Sequence, residues 1–260
     1  MMVSNQQHQR RIGLLLASMH TGSSISLWRE MAKHVAQSNE SLFVFAGGRL
    51  ESPEGQEYLR NAIYPLANRK NIDALISWSS ALGGYVSPQE VLAFLDGLDP
   101  MPIVSIGIKK NGSPSVSFDA YGGIQSLVLH CISRHNAKRI AFIRGPENHY
   151  SAQDRWRAYC DALGQAGIAQ DTRLISDPMA WTEGAKAVDQ LVVERGLIPG
   201  LDFDTLVCSS DMMMFAASKR LEALGYTVAK DFRIVGYNDS RESRLLRVPA
   251  IVIADDSEVL

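Results

Sequence analysis

Polar residues follow the chain's short apolar runs directly, at 18–24, 47–48, 77–80, 109, 144–155, 209–211 and 238–239. Their chemistry is that of gripping a solute. Arg155 carries a planar fork that donates two parallel hydrogen bonds. Asn238 can both donate and accept. Trp181 offers a ring face that stacks on the C–H face of a pyranose or on a base. Asp211 and Asp239 could in principle pair as carboxylates. No nucleophile or phosphate cradle accompanies them, so binding fits better than acid–base work.

Signatures of catalysis are absent from the sequence. It has no Walker-type phosphate loop, no GxGxxG, no GxSxG elbow and no HExxH. The histidines, His8, His20, His34, His130, His135 and His149, are scattered. His130 and His135 stand five apart, a spacing at which a helix is not expected to align a metal pair. Cys131, Cys160 and Cys208 are odd in number and form no CxxC, so they read as reduced, half-buried fillers. We therefore expect no enzyme, no metal and no cofactor.

These residues must be positioned by alternating strands and helices. Apolar runs at 12–17, 42–46, 74–77, 103–106, 139–143, 174–176, 205–209, 234–237 and 250–253 are strand-sized. Helical spacing predicts helices at 25–38, 54–70, 89–96, 121–134, 152–163, 181–194 and 212–224. In the 54–70 helix, Leu59, Ile63 and Leu66 would share the inner face; in 181–194, Ala185, Val188, Leu191 and Val192 would. Strands apolar on both faces, each followed by a helix, mean parallel sheets covered on both sides. The two halves look alike, so the expectation is α/β with two Rossmann-like lobes, divided near 115–119. Ligands bind outside the carboxyl ends of parallel strands, which makes the polar residues there the candidates.

Composition agrees with a globular chain: 260 residues, 46% apolar and 21% charged. No apolar run approaches the roughly 20 residues of a membrane helix. The first eleven residues lack the apolar stretch of a secretory signal, so the chain is expected to be cytoplasmic, with no membrane partner. A net charge of −2 gives no basic excess for nucleic acid.

The segment RIAFIRGPENHYSAQDRWRAYCDAL, 139–163, resembles the LacI/GalR family of ligand-responsive regulators. Four further segments agree: 117–143, DTLVCSSDMMMFAASKRLEALGY at 204–226, DFRIVGYNDS at 231–240, and RVPAIVIADDSEVL at 247–260. The resemblance implies the type I periplasmic-binding-protein-like fold with three interlobe crossovers, near 117–119, 238–241 and 253–257. It places 12–116 and about 241–254 in an N-terminal lobe, and 117–240 and about 255–260 in a C-terminal lobe. Residues 1–11 would be a lead-in without a DNA-binding headpiece, and the last helix and strand of the family would lie beyond Leu260, as in a fragment. Segments 43–58 and 63–91 look most like sensor domains fused ahead of diguanylate cyclases or histidine kinases.

By this resemblance Arg155 matches the arginine that grips ligand hydroxyls or carboxylates; otherwise it is an exposed helix arginine. Asn238 stands where sugar-responsive members usually carry Asp, and with Asp239 it also suits a simple turn. Ser210 and Asp211 match the Asn-Asp before a helix, Ser210 as a ligand residue and Asp211 as a cap. Trp181 lines the pocket in some members, or lies on the lobe surface. His149 and Ser151 lie in the turn before Arg155. Trp28 and Ser26 start the first helix, and Asp255 lies in the last crossover. Trp78 walls the cleft or packs in the core. Lys109 could favour an anionic ligand, or belong with Lys110 to a solvated loop.

The expectation is a ligand-binding sensor domain of a LacI-type regulator or related signalling protein. A small, sugar-like effector would bind between the lobes and close them, in a homodimer, with any DNA or signalling output in a domain outside this chain. The alternative is a periplasmic sugar-binding protein of a transport system.

Overall fold

The computed structural model describes residues 9–20, 22–98, 100–238, 240 and 251–254. The chain divides into two compact units between Ser117 and Phe118.

In the first unit, β1 (Arg11–Leu16), β2 (Ser41–Ala46), β3 (Ala74–Ser77), β4 (Ile103–Ile106) and β5 (Ser115–Val116) form one parallel sheet. Its order is β2-β1-β3-β4-β5. Alternation along β1 sends Leu15 into a core with Phe45, Leu75 and Ile103, while the buried Leu14 and Leu16 point to the other face. Helices α1 (Gly22–Gln37), α2 (Gly55–Arg60), α3 (Ser79–Leu82) and α4 (Pro88–Asp96) connect the strands. Ser87 and Glu90 form a reciprocal capping box at the start of α4, with Pro88 in its first turn.

The second unit holds β6 (Ile140–Ile143), β7 (Thr205–Cys208), β8 (Arg233–Asn238) and β9 (Ile251–Ala254), parallel and in that order. Each inner strand is apolar on both faces. Ala141, Ile143, Leu206, Cys208 and Ile234 pack under α7 (Gly184–Val188) and α8 (Asp211–Ala223). Ile140, Phe142, Val207, Val235 and Tyr237 pack under α5 (Ala120–His135) and α6 (Tyr150–Gln165). The α/β architecture with two parallel sheets is as the strand–helix alternation implies.

Four expectations are corrected. Residues 54–70 are not one helix: α2 gives way to a 3-10 turn over Asn61–Leu66. Pro65 has no N–H for an α-helical bond and biases Tyr64 away from α geometry. Leu59 and Leu66 are then 71% and 53% exposed, and Tyr64 and Ala67 are buried instead. Residues 174–176 make no strand; a 3-10 turn at Thr172–Leu174 is followed by a single bridge from Ile175 to Phe142. The helix expected at 181–194 starts at Gly184 and widens into a π-helical turn over Asp189–Glu194, burying Ala187 beside Val188 and Leu191. Finally, Ile251–Ala254 does not join the first sheet; it pairs with β8, from Val235↔Ile251 to Asn238↔Ala254.

Candidate functional site

The carboxyl edge of the second sheet carries a buried polar construction. β6 ends at Ile143 and turns through Gly145 and Pro146 toward α6. Arg155 lies on the second turn of α6, and it is only 7% exposed. Burying a guanidinium is costly unless its charge is met locally. Here Nη1 donates to the carbonyl oxygen of Ser209 at 2.5 Å. The guanidinium carbon sits 3.9 Å from the centroid of the Tyr237 ring and 5.7 Å from that of Trp181. Arg155 is therefore no exposed helix arginine. Arg157 is the surface residue and pairs with Asp154 at 2.9 Å.

Ser209 organises this edge. Its hydroxyl donates to the Ile143 carbonyl at 2.9 Å and accepts the Gly145 N–H at 3.1 Å. One side chain thus ties the end of β7 to the turn after β6. Ser210 caps α8, accepting the Met213 N–H at 3.3 Å. Asp211, 1% exposed, accepts the Ser240 backbone N–H at 2.6 Å, so it reaches across to the chain leaving β8. The capping role expected of Asp211 belongs to Ser210.

Trp181 is half-buried and meets His149 edge-on, with ring centroids 4.9 Å apart. His149 is buried, and its Nδ1 lies 3.2 Å from the Ser151 hydroxyl. The loop bearing Trp181 is fixed by Glu183, whose carboxylate accepts the Ala180 N–H at 2.9 Å. Gln190, on the π-helical turn, holds Asp177 through both side-chain and backbone bonds. Asn238 ends β8, half-buried, at φ 114, a conformation few side chains adopt.

Arg155, Trp181, His149 and Ser151 are thus brought together, and Ser210 and Asn238 adjoin Ser209 and Tyr237 in the chain. Asp239 and Asp255 lie outside the described residues. Tyr237 escapes sequence reasoning, because a buried aromatic on a strand reads as core.

Lys109, Trp28 and Ser26 belong to the first unit. Lys109 and Ser26 are exposed, and the Trp28 indole N–H donates to the Met19 carbonyl at 3.1 Å. Trp78 is buried, with its indole N–H on the Ser80 hydroxyl at 3.1 Å, as core packing requires. Gly47 and Gly48 are filled rather than open: a Cβ on Gly48 would meet Glu57, and one on Gly47 would meet Tyr64. Beside them Arg49 grips Glu57 through Nε and Nη2 at 3.0 and 2.9 Å, and Ser52 donates to the same carboxylate at 2.6 Å. Burial pushes that carboxyl up, but the Arg49 and Ser52 hydrogen bonds outweigh it and hold it at about 2.

The His130 and His135 rings stand 5.1 Å apart at the end of α5, closer than their spacing suggests. Among the described residues no group of three His, Cys, Asp or Glu could hold a metal, and no helix is long and apolar enough to cross a membrane.

Residues 128–254 match the periplasmic binding protein-like domain family. The chain is 28% identical over 197 residues to the transcriptional regulator CelR of Thermobifida fusca, covering 69% of this chain and 56% of that protein. It is 31% identical over 158 residues to the regulator AscG of Escherichia coli, covering 60% and 45%. The chain spans about half the length of the curated relatives it matches. Among solved structures, a sugar-binding LacI-family regulator from Escherichia coli, complexed with phosphate, superposes with TM-score 0.69 at 27% identity, over 94% of this chain and 84% of that one. The Escherichia coli repressor ascG gives TM-score 0.64 at 26% identity, over 89% and 79%.

Proposed function

We propose that the chain carries a LacI/GalR-type, periplasmic-binding-protein-like ligand-binding domain, a reading that its similarity to such regulators supports, and that it is a sensor which binds a small, sugar-like molecule without transforming it. The carrying observation is Arg155, buried at the carboxyl edge of the second sheet beside Trp181 and His149. A guanidinium suits paired oxygens, and an indole face suits a sugar ring. The relatives are transcriptional regulators. A regulator named CelR is solved with cellobiose, and one from Enterococcus faecium with ribose.

In this reading the chain has two states, and the ligand shifts the equilibrium between them only by its differential affinity for one. A cytoplasmic homodimer then passes the change to a DNA-binding or signalling domain outside this chain.

A thermal-shift screen of sugars, sugar acids and nucleosides tests the reading, since a ligand that binds the folded state raises its apparent stability. The expected result is at least one saturable stabiliser whose effect is lost in Arg155→Ala. Turnover of a stabilising compound, or full retention of the shift in Arg155→Ala, would overturn it.

A further inference from the structure

We propose that Tyr237 is a positioning residue for Arg155: its ring is the platform that fixes the guanidinium in the attitude needed to grip the ligand. The inference rests on the sensor reading for its consequence, but not for its geometry.

Arg155 is buried, and the groups that meet its charge include the Ser209 carbonyl and the aromatic faces of Tyr237 and Trp181. The nearer face is that of Tyr237, at 3.9 Å against 5.7 Å for Trp181. A ring quadrupole attracts a cation most strongly when both are desolvated. Tyr237 is 2% exposed, so that condition is met.

The platform is also rigid. β8 is hydrogen-bonded on both sides, with Val207↔Val235 on one and Tyr237↔Ile253 on the other. Alternation along β8 turns Tyr237 to the α6 side, where Arg155 arrives. With a ring beneath it and Nη1 on a strand-end carbonyl, the guanidinium is held from two directions. An aliphatic residue would fill the same core position but would offer the cation nothing. Core aromatics nearby differ in this respect: Phe142 and Tyr159 stack on each other, with centroids 4.6 Å apart.

The test separates ring electronics from volume. Tyr237→Phe and Tyr237→Leu are prepared, together with chains carrying mono-, di- and trifluorinated phenylalanine at 237, which keep the ring's shape while weakening its quadrupole. Two properties are read. The first is the NMR signal of the Arg155 Nε–H, with the rotation rate of its guanidinium. The second is the dissociation constant for cellobiose and for D-ribose.

The expected NMR result is an Arg155 signal shifted by the ring current in wild type and Tyr237→Phe, and lost in Tyr237→Leu. Guanidinium rotation should speed up stepwise with fluorine. Where either sugar binds, affinity should fall at least tenfold in Tyr237→Leu, fall in steps along the fluorinated series, and stay within about threefold in Tyr237→Phe. An Arg155 signal and rotation rate indifferent to fluorination would overturn the proposal, even if Tyr237→Leu failed to fold. If neither sugar binds wild type, that result counts against those ligands in the sensor reading, and the NMR arm still decides the role of Tyr237.

Discussion

The indole of Trp181 is seated on the backbone of Gly145. A Cβ at Gly145 would lie 2.7 Å from Cζ3 and 2.8 Å from Cη2 of that ring, and 3.0 Å from Cβ of Ala152. The Gly145 N–H is meanwhile held by Ser209, so the turn cannot retreat without breaking that bond. Gly145→Ala should therefore displace Trp181 and cost about 1–3 kcal/mol, the usual range for overpacking. Thermal denaturation reads the cost. Difference fluorescence against Trp181→Phe reads the indole, and an unchanged emission would show that the ring is not seated there.

The carboxylate of Glu57 gives a pH signature. Its folded value of about 2 lies below the ordinary 4.5. A depressed carboxyl adds stability that is fully present above its unfolded value and is lost as pH falls toward the folded one. The loss should thus develop between about pH 5 and pH 2. Glu57→Gln should be less stable than wild type at pH 7, and the gap should narrow at pH 3. A gap of constant size, measured by chemical denaturation at both pH values, would mean that Arg49 and Ser52 do not hold the charge.

Asp211 offers a separate test of how the carboxyl edge is assembled. Its carboxylate accepts the Ser240 N–H from a position nearly sealed from water. Losing a hydrogen bond to a charged group costs about 1.5–3 kcal/mol. Asp211→Ala should lose that much in urea denaturation. Asp211→Asn, which keeps an oxygen there, should lose less. Equal losses would assign the effect to charge rather than to this hydrogen bond.

What the sequence could tell about these sites followed physical scale. β6, β7 and β8 are short apolar runs whose alternate residues feed two cores, so the pattern of the sequence is enough to place them. The 54–70 segment misled because Leu59 and Leu66 have helical spacing, while Pro65, between them, forbids the helix. Resemblance and its place after the Gly-Pro turn single out Arg155, but its burial against Ser209 and Tyr237 is visible only in the fold. Tyr237 was not legible, since burial on a strand looks the same whether a ring fills a core or carries a cation. The Arg49–Glu57 grip was equally hidden: residues eight apart meet across a turn in which Glu51 stands at φ 50.

The thiols test the burial pattern of the second unit as a whole. Cys131 lies on α5 and Cys208 on β7, both buried, while Cys160 on α6 is half-buried. Burial pushes the Cys131 thiol up to about 11 and raises those of Cys208 and Cys160 as well. Reactivity toward a disulfide reagent follows the thiolate and its access. At pH 8 the folded chain should therefore react slowly, and first at Cys160, with Cys131 and Cys208 following only on unfolding. In denaturant all three thiols should titrate at once. Rapid labelling of Cys208 in the native protein, located by peptide mapping, would contradict the packing of β7 between its two helical layers. Without that packing, the Ser209 carbonyl that receives Arg155 would have no fixed place.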